Sequence, residues 1–472
     1  MLSPALTYLS QLIPLSPQKI YLVGGSIRDL LLGKEDIKDI DVLMPSGSES
    51  VARKFADSIT GSFFLLDDVR KNTRVVKQAG GEIIQFDFAN FEGPDLSADL
   101  GRRDFTMNAM ALDLRSFIRN RSLDGLIDLF RGNEDVKNGI IRATNPKVLD
   151  EDPLRLLRAV RFAATLGFTI EESTAEHIRS RSKRITEPAS ERVRDELFLI
   201  LAERNAVKHL SLLDSLGLLS RILPELEPLR GFAPGRYHIH DVLTHVIKTA
   251  GYVDAVLDDL HEISPAHAAA LRVHFEENIE HLVPRKAALR FACLLHDIAK
   301  PDTFTDTDGR VRFHGHDNVG SDKAALVCRR LRLSRDSERL VAGVIKQHMR
   351  LFNLSTPGGP SRNALYRYCR DLGDALPESL VLAQADARAT YEIMEKGKFM
   401  DTEKSMVAVL DYYYSKFLKA EAIPLVTGDD LIRKGLKPGP QFREILDEIK
   451  ERQAGGTITT RSEALAYLAG LI

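Results

Sequence analysis

The chain has 472 residues and a net charge of −2, with 44% hydrophobic and 28% charged residues. A single hydrophobic core stops growing well below this length, so two to four domains are expected. The near-neutral charge excludes a polycation, and any surface that binds nucleic acid must be local. Three cysteines, none in a C-x-x-C pair, argue against a zinc knuckle or a disulfide framework and favour a reducing, cytoplasmic location. No apolar run reaches the length of a membrane span, so we expect no membrane partner.

Short strand patterns occupy the first part of the chain, and helical patterns occupy the rest. Runs rich in Val, Ile and Phe predict strands between Lys19 and about Leu114. From about Glu151 onward, apolar residues recur at helical spacing and strand signals are nearly absent. We therefore predict an α+β chain, with a small α/β domain followed by a long helical body. The runs predicted as strands are KIYLV, IDVLM, SFFLL, TRVVKQ and EIIQFDFANF.

A glycine turn follows the first predicted strand. Gly24, Gly25 and Ser26 lie between that strand and a helical pattern, and glycines there let a ligand approach the backbone closely. The free N–H groups and positive dipole end of the helix suit a phosphate, and Arg28 would add charge to the same anion. A Gly-Gly turn before a helix more often only ends the preceding strand, so by itself this motif is weak evidence for a phosphate site.

Paired carboxylates come next in the chain. Asp39 and Asp41 are two residues apart in an apolar run, so on a strand both face the same side. Carboxylates held together repel each other unless cations lie between them, and paired Mg²⁺ ions there would activate a 3′-hydroxyl and stabilise leaving pyrophosphate. Asp87, in another such run, is either a third carboxylate or an edge-strand residue facing water.

Two further charged motifs point to nucleotide recognition. Arg102 and Arg103 precede an apolar strand and would pair with triphosphate oxygens, and Asp104 would accept a hydrogen bond from a ribose hydroxyl. Asp152 and Arg155 lie three residues apart at a predicted helix start, so they share one face and could read the edge of a nucleobase. Each motif also has an explanation without a nucleotide. The arginine pair could simply lie on a solvated surface, and Asp152 and Arg155 could form a helix cap and a helical salt bridge, which is the better explanation when that motif is considered alone.

In combination, these segments resemble class II tRNA nucleotidyltransferases and bacterial poly(A) polymerases of the polymerase β superfamily. The match extends over about the first 200 residues, in the family's own order and spacing. The resemblance implies a polymerase β-like nucleotidyltransferase head. The matching segments are LVGGSIRDLLLG, DIDVL, RRDFTMNAMALDL, IDLFRG, EDPLRLLRAVRFAATLGF and ERVRDE.

The resemblance implies a role for each motif. Asp39 and Asp41 would be the catalytic pair that binds Mg²⁺, and the strand pattern around Asp87 adds this residue as a third catalytic carboxylate. Asp128 and Gly132 match a hinge motif between head and neck. CTP and ATP would be the substrates, and the acceptor end of tRNA would be the partner. Glu151 belongs to the family's nucleotide-selecting motif, and the nucleotide would be held by Gly24, Gly25, Arg28, Arg102, Arg103, Asp104, Asn108, Asp152, Arg155 and Arg158.

A second group of polar residues lies in the helical body. His296 and Asp297 end a strongly apolar helical run, where a buried His–Asp pair is costly unless a partner satisfies it. Imidazole and carboxylate together suit a divalent first-row metal. Across about residues 237–390 the chain resembles the HD superfamily, in the segments DVLTHVIKTA, LLHDIAKP, FHGHDNVG, IKQHMR and LAQADARA.

This second resemblance implies a phosphohydrolase centre that uses metal-activated water. His316 and His348 would support a second metal, and we prefer His316 to His314 because of its GHD context. The divalent metal would be Mg, Mn, Ni or Fe. The ligands implied for the first metal are His245, His296, Asp297 and Asp386.

We therefore divide the chain into four parts. Residues 1–140 form the catalytic head, residues 141–230 form an all-helical neck for nucleotide selection and tRNA binding, residues 231–400 form the HD domain, and residues 401–472 form a helical tail. The tail segment PLVTGDDLIRKGLKPGPQFREIL also resembles the C-terminal segment of bacterial members of the family. The oligomeric state stays open.

The predicted function is addition of CMP, AMP or both to the tRNA 3′ end without a template. A poly(A) polymerase is disfavoured because the basic G-R/K-R/K-F stretch that such enzymes usually carry is missing between Asp41 and Arg102. An HD phosphohydrolase with a degenerate RNA-binding head, and a non-catalytic tRNA chaperone, are both disfavoured by the intact D-x-D and EDxxR motifs.

Within the family, the sequence favours C addition over synthesis of the whole CCA end. Only EGPDLSADLG separates the last predicted strand before Arg102 from that residue. The resemblance implies a longer flexible loop there in members that build the whole end, and such a loop could rearrange the pocket. Alternatively, the length of this loop varies among family members without functional consequence, and another segment, such as GSFFLLDDVRKNT, rearranges the pocket.

Overall fold

The computed structural model describes residues 4–34, 37–120, 122–233, 240–308, 310–355, 359–391, 397–419 and 424–471. The chain divides into two compact units. The first unit comprises Met1–Pro188 and Ser215–Arg221, and the second comprises Ala189–Asp214 and Ile222–Ile472. Among the described residues, every helix is too short or too polar for a membrane span. The four-part division of the chain stays a prediction.

A seven-stranded sheet forms the centre of the first unit. Its strands are β1 (Tyr21–Val23), β2 (Asp39–Met44), β3 (Ser62–Asp67), β4 (Asn72–Ala79), β5 (Glu82–Asn90), β6 (Met110–Asp113) and β7 (Leu126–Asp128). Their order is β3-β4-β5-β2-β1-β6-β7, with β2 and β5 parallel and the other pairs antiparallel. All five runs predicted as strands lie in this sheet, so the prediction of a mixed α/β head is confirmed.

Each face of this sheet has its own apolar core. The helices around it are α1 (Pro4–Leu9), α2 (Gly25–Leu31), α3 (Ser48–Ile59), α4 (Leu96–Gly101), α5 (Leu114–Asn120) and α6 (Gly132–Asn138). On one face, Phe55 of α3 packs edge-on against Phe86, with ring centroids 5.0 Å apart. On the other face, Leu43 belongs to a small apolar cluster. Because side chains alternate along a strand, Asp39 and Asp41 share the face of Leu43, so this face is polar at one end and apolar at the other.

A tight turn connects β7 to α6. The two carboxylate oxygens of Asp128 accept backbone N–H bonds, from Gly132 at 2.8 Å and from Asn133 at 2.9 Å. A Cβ at Gly132 would lie 2.1 Å from the carbonyl oxygen of Thr106. The start of α6 is therefore held against the segment before β6 at a distance that only glycine allows.

We expect Gly132→Ala to destabilise the first unit by about 3 kcal/mol, because the backbone must move to relieve this overlap. Differential scanning calorimetry measures the loss as a lower Tm. Gly125→Ala is the matched control, since Gly125 is exposed and a Cβ there would meet open space. An equal Tm in the two variants would contradict the close approach of Gly132 to Thr106.

Helices dominate the chain after α6, which confirms the predicted helical body. The earlier ones are α7 (Val148–Glu151), α8 (Leu154–Leu166), α9 (Glu172–Arg181), α10 (Ser190–Ala202), α11 (Ala206–Ser215) and α12 (Leu219–Ile222). The later ones are α13 (Val242–Asp258), α14 (Leu260–Ile263), α15 (Ala268–Glu276), α16 (Arg285–Leu295), α17 (His316–Arg330), α18 (Arg335–Gln347), α19 (Arg350–Leu354), α20 (Arg362–Leu372), α21 (Leu376–Tyr391), α22 (Gly397–Tyr412), α23 (Gly428–Arg433), α24 (Pro440–Ala454) and α25 (Arg461–Leu471). The last three helices enclose their own apolar cluster, which includes Leu431, Ile449 and Leu468.

Two-stranded ribbons interrupt this helical body, and the sequence did not predict them. They pair β8 (Ile140–Ile141) with β9 (Thr169–Ile170), β10 (Asn278–Glu280) with β11 (Val283–Pro284), and β12 (Phe304–Thr307) with β13 (Arg310–Phe313). The neck predicted as all-helical thus contains β9, paired with β8. These strands have only a few residues each, which is too short for an alternating pattern to stand out.

Candidate active site and metal centre

Three carboxylates lie together on one face of the seven-stranded sheet. Asp39 and Asp41 are alternate residues of β2, and Asp87 of β5 is the register partner of Asp41. Because β5 lies between β4 and β2, Asp87 is on an inner strand, which excludes the edge-strand interpretation. The structure therefore brings together the three residues that the sequence predicts as catalytic.

The surroundings of these carboxylates favour a bound cation. Burial raises the pKa of the Asp39 carboxyl, and the charge of Asp87 raises it further. Burial also raises the pKa of Asp41, although the Arg103 guanidinium counteracts part of this rise. A raised carboxyl pKa means that the protein alone does not compensate the negative charge, and a cation would do so. Carboxylate oxygens are the ligands that Mg²⁺ prefers, so the residues present fit this metal.

Gly24 places the backbone directly against the catalytic strand. It has a φ of +68°, and a Cβ there would lie 2.5 Å from Oδ2 of Asp41. The start of α2 is also bonded to β2. The hydroxyl of Ser26, the second residue of α2, accepts the backbone N–H of Asp41 at 3.0 Å. Any side chain at position 24 would displace the Asp41 carboxylate, so this glycine turn has a specific role beside the carboxylates.

Arg28 and Asn108 belong to one hydrogen-bond network. Nη1 of Arg28 donates to Oδ1 of Asn108 at 2.9 Å, while its Nε and Nη2 donate to Asp29. Nδ2 of Asn108 donates in turn to Asp104 at 3.1 Å. These contacts connect the helix that follows the glycine turn to the segment that carries the arginine pair.

Asp104 is buried, and protein donors engage both of its oxygens. Oδ1 accepts the backbone N–H of Phe105 at 2.8 Å, and Oδ2 accepts two N–H groups of Arg158, at 3.0 and 2.8 Å. Burial raises the pKa of Asp104, but the charge of Arg158 and these hydrogen bonds outweigh it and hold the pKa below its usual value. Asp104 therefore orients Arg158. To accept a hydrogen bond from a ribose hydroxyl, as predicted, Asp104 would have to give up one of these protein donors.

The two adjacent arginines have different surroundings. Nη1 of Arg103 lies 3.1 Å from the Cβ position of Gly24, and the guanidinium also pairs with Asp99 at 3.3 Å. Arg102 is more than half exposed and pairs with Glu92 at 3.5 Å. The structure thus brings Arg103 to the carboxylates but leaves Arg102 on a solvated surface.

Of the two residues predicted to read the base, Arg155 lies in the first turn of α8 and Asp152 lies just before this helix in an extended conformation, so the predicted shared helix face is wrong. Oδ1 of Asp152 accepts the backbone N–H of Leu154 at 3.1 Å, which caps the helix. Nη1 of Arg155 donates to the carbonyl oxygen of Val148 at 3.0 Å. Both side chains are held at the N-terminal end of α8, whose next turn carries Arg158.

Arg74 belongs to the site, although no motif in the sequence marks it. It is the register partner of Asp87 on β4, and its Nε and Nη2 donate to the two carboxylate oxygens at 2.7 and 2.8 Å. This bidentate pair occupies both oxygens of Asp87. Asp39 and Asp41 are therefore better placed than Asp87 to bind a metal.

The second unit contains a compact cluster of metal-ligand side chains. Its members are His245, His296, Asp297, His316, His348 and Asp386. Their ligand atoms form two groups of three, and within each group all of these atoms lie within 4.8 Å of one another. His316 is buried in the cluster whereas His314 is exposed, so the structure places the preferred histidine at the centre. We refer to these six residues as the HD cluster.

Backbone hydrogen bonds orient three histidines of the HD cluster. Nδ1 of His296, His316 and His348 donates to the carbonyl oxygen three residues earlier, at 2.8, 2.8 and 2.7 Å. This tautomer leaves each Nε2 with a lone pair for a metal. Nε2 of His296 is buried and lies 3.2 Å from Oδ2 of Asp297, yet it makes no hydrogen bond. A divalent metal would satisfy this atom, so the residues present fit one.

The charges in the HD cluster also match a metal site. Burial raises the pKa of Asp297, but the charges of a protonated His296 and of Lys300 outweigh it and hold the pKa well below its usual range. The Asp297 charge in turn outweighs burial and raises the pKa of His296, so a metal would replace the proton on this ring. Burial lowers the pKa of His348 to about 4, so this imidazole is neutral at physiological pH. Anionic carboxylates and a neutral imidazole are the forms that bind divalent metals.

Comparison with known proteins identifies matching domain families. The Poly A polymerase head domain matches residues 20–142, the "Probable RNA and SrmB- binding site of polymerase A" matches residues 167–229, and the HD domain matches residues 242–413. The first range contains the three carboxylates, and the third contains the HD cluster. Both kinds of domain generally use divalent metals.

Relatives extend over nearly the whole chain. The A-adding tRNA nucleotidyltransferase of Deinococcus radiodurans is 34% identical over 466 residues, which are 97% of this chain and 96% of that protein. The CC-adding tRNA nucleotidyltransferase of Thermus thermophilus is 31% identical over 464 residues, which are 96% of this chain and 94% of that protein. The chain belongs to the tRNA nucleotidyltransferase family. It is an enzyme, as the sequence predicts.

The nucleotidyltransferase also shares its fold with solved structures. A CCA-adding enzyme in complex with CTP has a TM-score of 0.63 at 23% identity, over 99% of this chain and 94% of the other. The Thermotoga maritima CCA-adding enzyme in complex with tRNA has a TM-score of 0.61 at 22% identity, over 99% and 95% of the two chains. At this identity the likeness shows the fold, and it confirms the predicted head and helical body.

Lys300 is a further residue of the nucleotidyltransferase that no sequence argument singled out. Its Nζ lies 2.6 Å from Oδ2 of Asp297, one helical turn earlier. Burial lowers the pKa of Lys300, but the charge of Asp297 outweighs it and the pKa is raised. This ammonium adds a fixed positive charge at the HD cluster.

Proposed function

We propose that the nucleotidyltransferase adds nucleotides to the 3′ end of tRNA from CTP and ATP, without a nucleic-acid template. The main support is the arrangement of Asp39 and Asp41 beside Gly24, with Arg103 at the same place. The glycine lets the Asp41 carboxylate lie directly against the backbone, and the Arg103 guanidinium at the same place offers charge to a phosphate. In this proposal residues 1–140 carry out catalysis, residues 141–230 bind tRNA, and the enzyme acts in the cytoplasm.

The proposed chemistry assigns distinct tasks to these side chains. Asp39 and Asp41 would hold Mg²⁺, which when bound supplies activation of the 3′-hydroxyl and stabilisation of the leaving pyrophosphate. Arg103 offers its guanidinium to the phosphates of the incoming nucleotide. Asp104 holds Arg158 in one orientation through two hydrogen bonds. Arg158 is thereby preorganised toward the nucleotide.

Base selection is proposed to depend on Asp152 and Arg155. We expect alanine at either position to reduce discrimination among the four NTPs by about 5- to 150-fold, because each loss leaves a polar group of the base unpaired at roughly 1–3 kcal/mol. The ratio of kcat/KM for CTP to that for each other NTP measures this effect. Glu176→Ala, an exposed change on α9, is the control. Unchanged ratios in both alanine variants would exclude base reading by these residues.

We also propose that the enzyme adds C residues and stops before the terminal A. Residues 91–95 form a short connection between β5 and α4, and hydrogen bonds hold it at both ends. The N–H of Phe91 donates to Met44 at 2.8 Å, and the N–H of Glu92 donates to Asp99 at 2.9 Å. Asp95 caps α4 by accepting the N–H of Ala98 at 2.8 Å. This anchoring supports the view that no mobile loop here switches the pocket toward adenine.

A addition is the second candidate, because the relative from Deinococcus radiodurans is named A-adding and is 34% identical. Two substrates separate the candidates: tRNA that lacks its CCA end, given CTP alone, and tRNA that ends in CC, given ATP alone. C addition predicts incorporation only in the first reaction. Incorporation only in the second identifies an A-adding enzyme, and incorporation in both identifies a CCA-adding enzyme.

We propose that the second unit hydrolyses phosphate esters at the HD cluster. The six side chains, the unbonded Nε2 of His296 and the charge of Lys300 support this proposal. The metal would be Mg, Mn, Ni or Fe, and when bound it supplies an activated water. Lys300 would bind the phosphate through its ammonium group.

A further inference from the structure

Three consecutive apolar residues of β3 are exposed, and no motif accounts for them. Phe64 is 50% exposed, Leu65 41% and Leu66 53%. Strand β3 lies at one edge of the seven-stranded sheet, where an exposed apolar strand invites pairing with other chains and is usually avoided. We call these three residues the β3 strip. Exposed apolar surface of this kind indicates a place where a partner binds.

The β3 strip lies in one row with the catalytic carboxylates. Asp41 pairs in register with Asp87 on the next strand. Asp87 pairs with Arg74, which in turn pairs with Phe64. Register partners on neighbouring strands point to the same side of a sheet, so Phe64 shares the face of the carboxylates. Phe63 points to the opposite face, where the guanidinium carbon of an arginine of α3 lies 4.1 Å from its ring centroid.

A cleft joins the strip to the carboxylates. Its wall includes Asp41, Asp87 and Arg103, and it extends to Leu66 on β3. Its volume is about 230 Å³, which is below the roughly 300–1,000 Å³ of pockets that enclose a small ligand. A polynucleotide whose end reaches the carboxylates would therefore continue outside the cleft, over the surface beside it. Leu66 borders this exit.

The stereochemistry of the proposed reaction sets the direction of that polynucleotide. Gly24 and Arg103, at the proposed triphosphate site, lie on the β1 side of β2. In an in-line displacement the attacking oxygen approaches from the side opposite to the leaving group. The hydroxyl that attacks must then come from the other side of β2, where β5, β4 and β3 follow in that order. The β3 strip lies on that side.

Two exposed arginines flank the strip. Arg70, in the turn after β3, and Arg102 are both more than half exposed, and each pairs with Glu92 at 3.5 Å. Exposed ion pairs of this length are weak, so either guanidinium can exchange Glu92 for a phosphate oxygen. The carboxylate of Asp67 is occupied within the turn, where Oδ1 accepts two backbone N–H bonds. An aromatic ring beside available cations is typical of sites that bind single-stranded nucleic acid.

We propose that the β3 strip binds the 3′ end of the tRNA that receives the nucleotide, with the Phe64 ring stacked on one of its last two bases. This inference rests on the proposed nucleotide addition and names a positioning residue for the attacking hydroxyl. Three strand spacings, roughly 14 Å in all, separate Asp41 from Phe64, so the ring is within reach of the last base or the one before it. Stacking uses the face that all bases share, so the strip positions the end without selecting its sequence.

A kinetic experiment with the full-length enzyme tests this role. Phe64→Ala is expected to raise the KM for the tRNA substrate about 5- to 150-fold, and Phe64→Tyr is expected to restore it. The KM for the incoming nucleotide should stay within about twofold, because its site lies on the other side of β2. Ile83→Ala is the matched control, since Ile83 is 56% exposed on the same sheet face but lies along β5 and not toward β3. An equal rise in both KM values, or the same rise in the control, overturns the proposal.

Substrates that lack one base show whether the ring stacks or only supports the strand. We compare tRNA with an abasic nucleotide at the last position, or at the position before it, with the intact tRNA. At the stacked position the wild type should lose about as much as Phe64→Ala loses on intact tRNA, and Phe64→Ala should lose no more. If Phe64→Ala retains its full effect on both abasic substrates, the proposal is wrong.

A fluorescence experiment separates binding from catalysis. The chain contains no tryptophan, so Phe64→Trp introduces a single reporter on the strip. We expect saturable quenching by tRNA without nucleotide or metal, and less quenching by tRNA that is abasic at both terminal positions. Quenching in an enzyme that adds no nucleotide would support the strip while the proposed function fails. Normal extension of tRNA by this variant without quenching would overturn the strip alone.

Self-association through the edge of β3 is the competing explanation for the exposed strip. Light scattering of the wild type and of Phe64→Ala measures the mass of each in solution. We expect the same mass for both. A wild type of two chains that becomes one chain in Phe64→Ala would make the strip an interface between copies, and it would overturn the proposal.

Discussion

Asp41→Asn is expected to reduce nucleotide addition by about a thousandfold or more, which corresponds to roughly 4 kcal/mol of transition-state stabilisation. Asparagine keeps the shape of the side chain beside Gly24 but removes the charge that would hold a cation. Binding of tRNA should remain, because the change adds no volume to the site. Single-turnover incorporation of labelled CTP into tRNA that lacks its CCA end measures the loss.

The same variant should be at least as stable as the wild type. Because the pKa of Asp41 is raised by burial, the folded protein holds the Asp41 proton more tightly than the unfolded chain does. The ionised form therefore destabilises the fold at neutral pH, and the uncharged asparagine removes this effect. Asp57→Asn, an exposed change on α3, is the matched control and should retain full activity. Full activity of Asp41→Asn would remove this residue from the catalytic site.

The second large effect is expected in the HD cluster. His296→Ala should lower hydrolysis of a simple phosphate monoester by about a hundredfold or more and should reduce the bound Mn²⁺, because one imidazole ligand is lost. Nucleotide addition should stay within about twofold of the wild type, since the catalytic carboxylates belong to the other compact unit. Inductively coupled plasma mass spectrometry measures the metal, and phosphate release measures the hydrolysis.

Two companion variants make this result interpretable. His316→Gln changes a second member of the HD cluster at the start of α17 and should cause the same two losses, even if the buried His296→Ala unfolds part of the domain. His261→Ala changes an exposed histidine on α14 and should cause neither loss. Wild-type metal content in both cluster variants would show that these six residues do not form the metal site.

The head illustrates what a sequence pattern predicts and where it stops. The spacing of Asp39 and Asp41 in an apolar run predicts a shared strand face, because side-chain direction along a strand is a local property. Which strand lies beside β2 depends on contacts far apart in the chain. The pairing of Asp87 with Arg74 follows from the β4–β5 register, and no local pattern specifies that register. Arg74 could be recognised only once the sheet was known.

The arginine pair shows a similar limit. Arg102 and Arg103 are neighbours in the sequence and share one motif, so they were predicted to act together. The segment after α4 directs Arg103 toward Asp41 and Arg102 toward Glu92. The backbone conformation of a connecting segment decides this difference, and residue type alone does not encode it. The HD cluster was more predictable, because each of its members stands in a short local motif that names both the residue type and its neighbours, as in LLHDIAKP and FHGHDNVG.

The hydrogen bonds from Nδ1 of His296, His316 and His348 to backbone carbonyls three residues earlier have a consequence for metal binding at the HD cluster. Each of these rings is oriented by a backbone carbonyl close to it in the chain, so little side-chain entropy would be lost when a metal binds. These backbone bonds restrict the direction of each imidazole but do not select one metal, so divalent ions with similar ligand preferences could use the same three nitrogens.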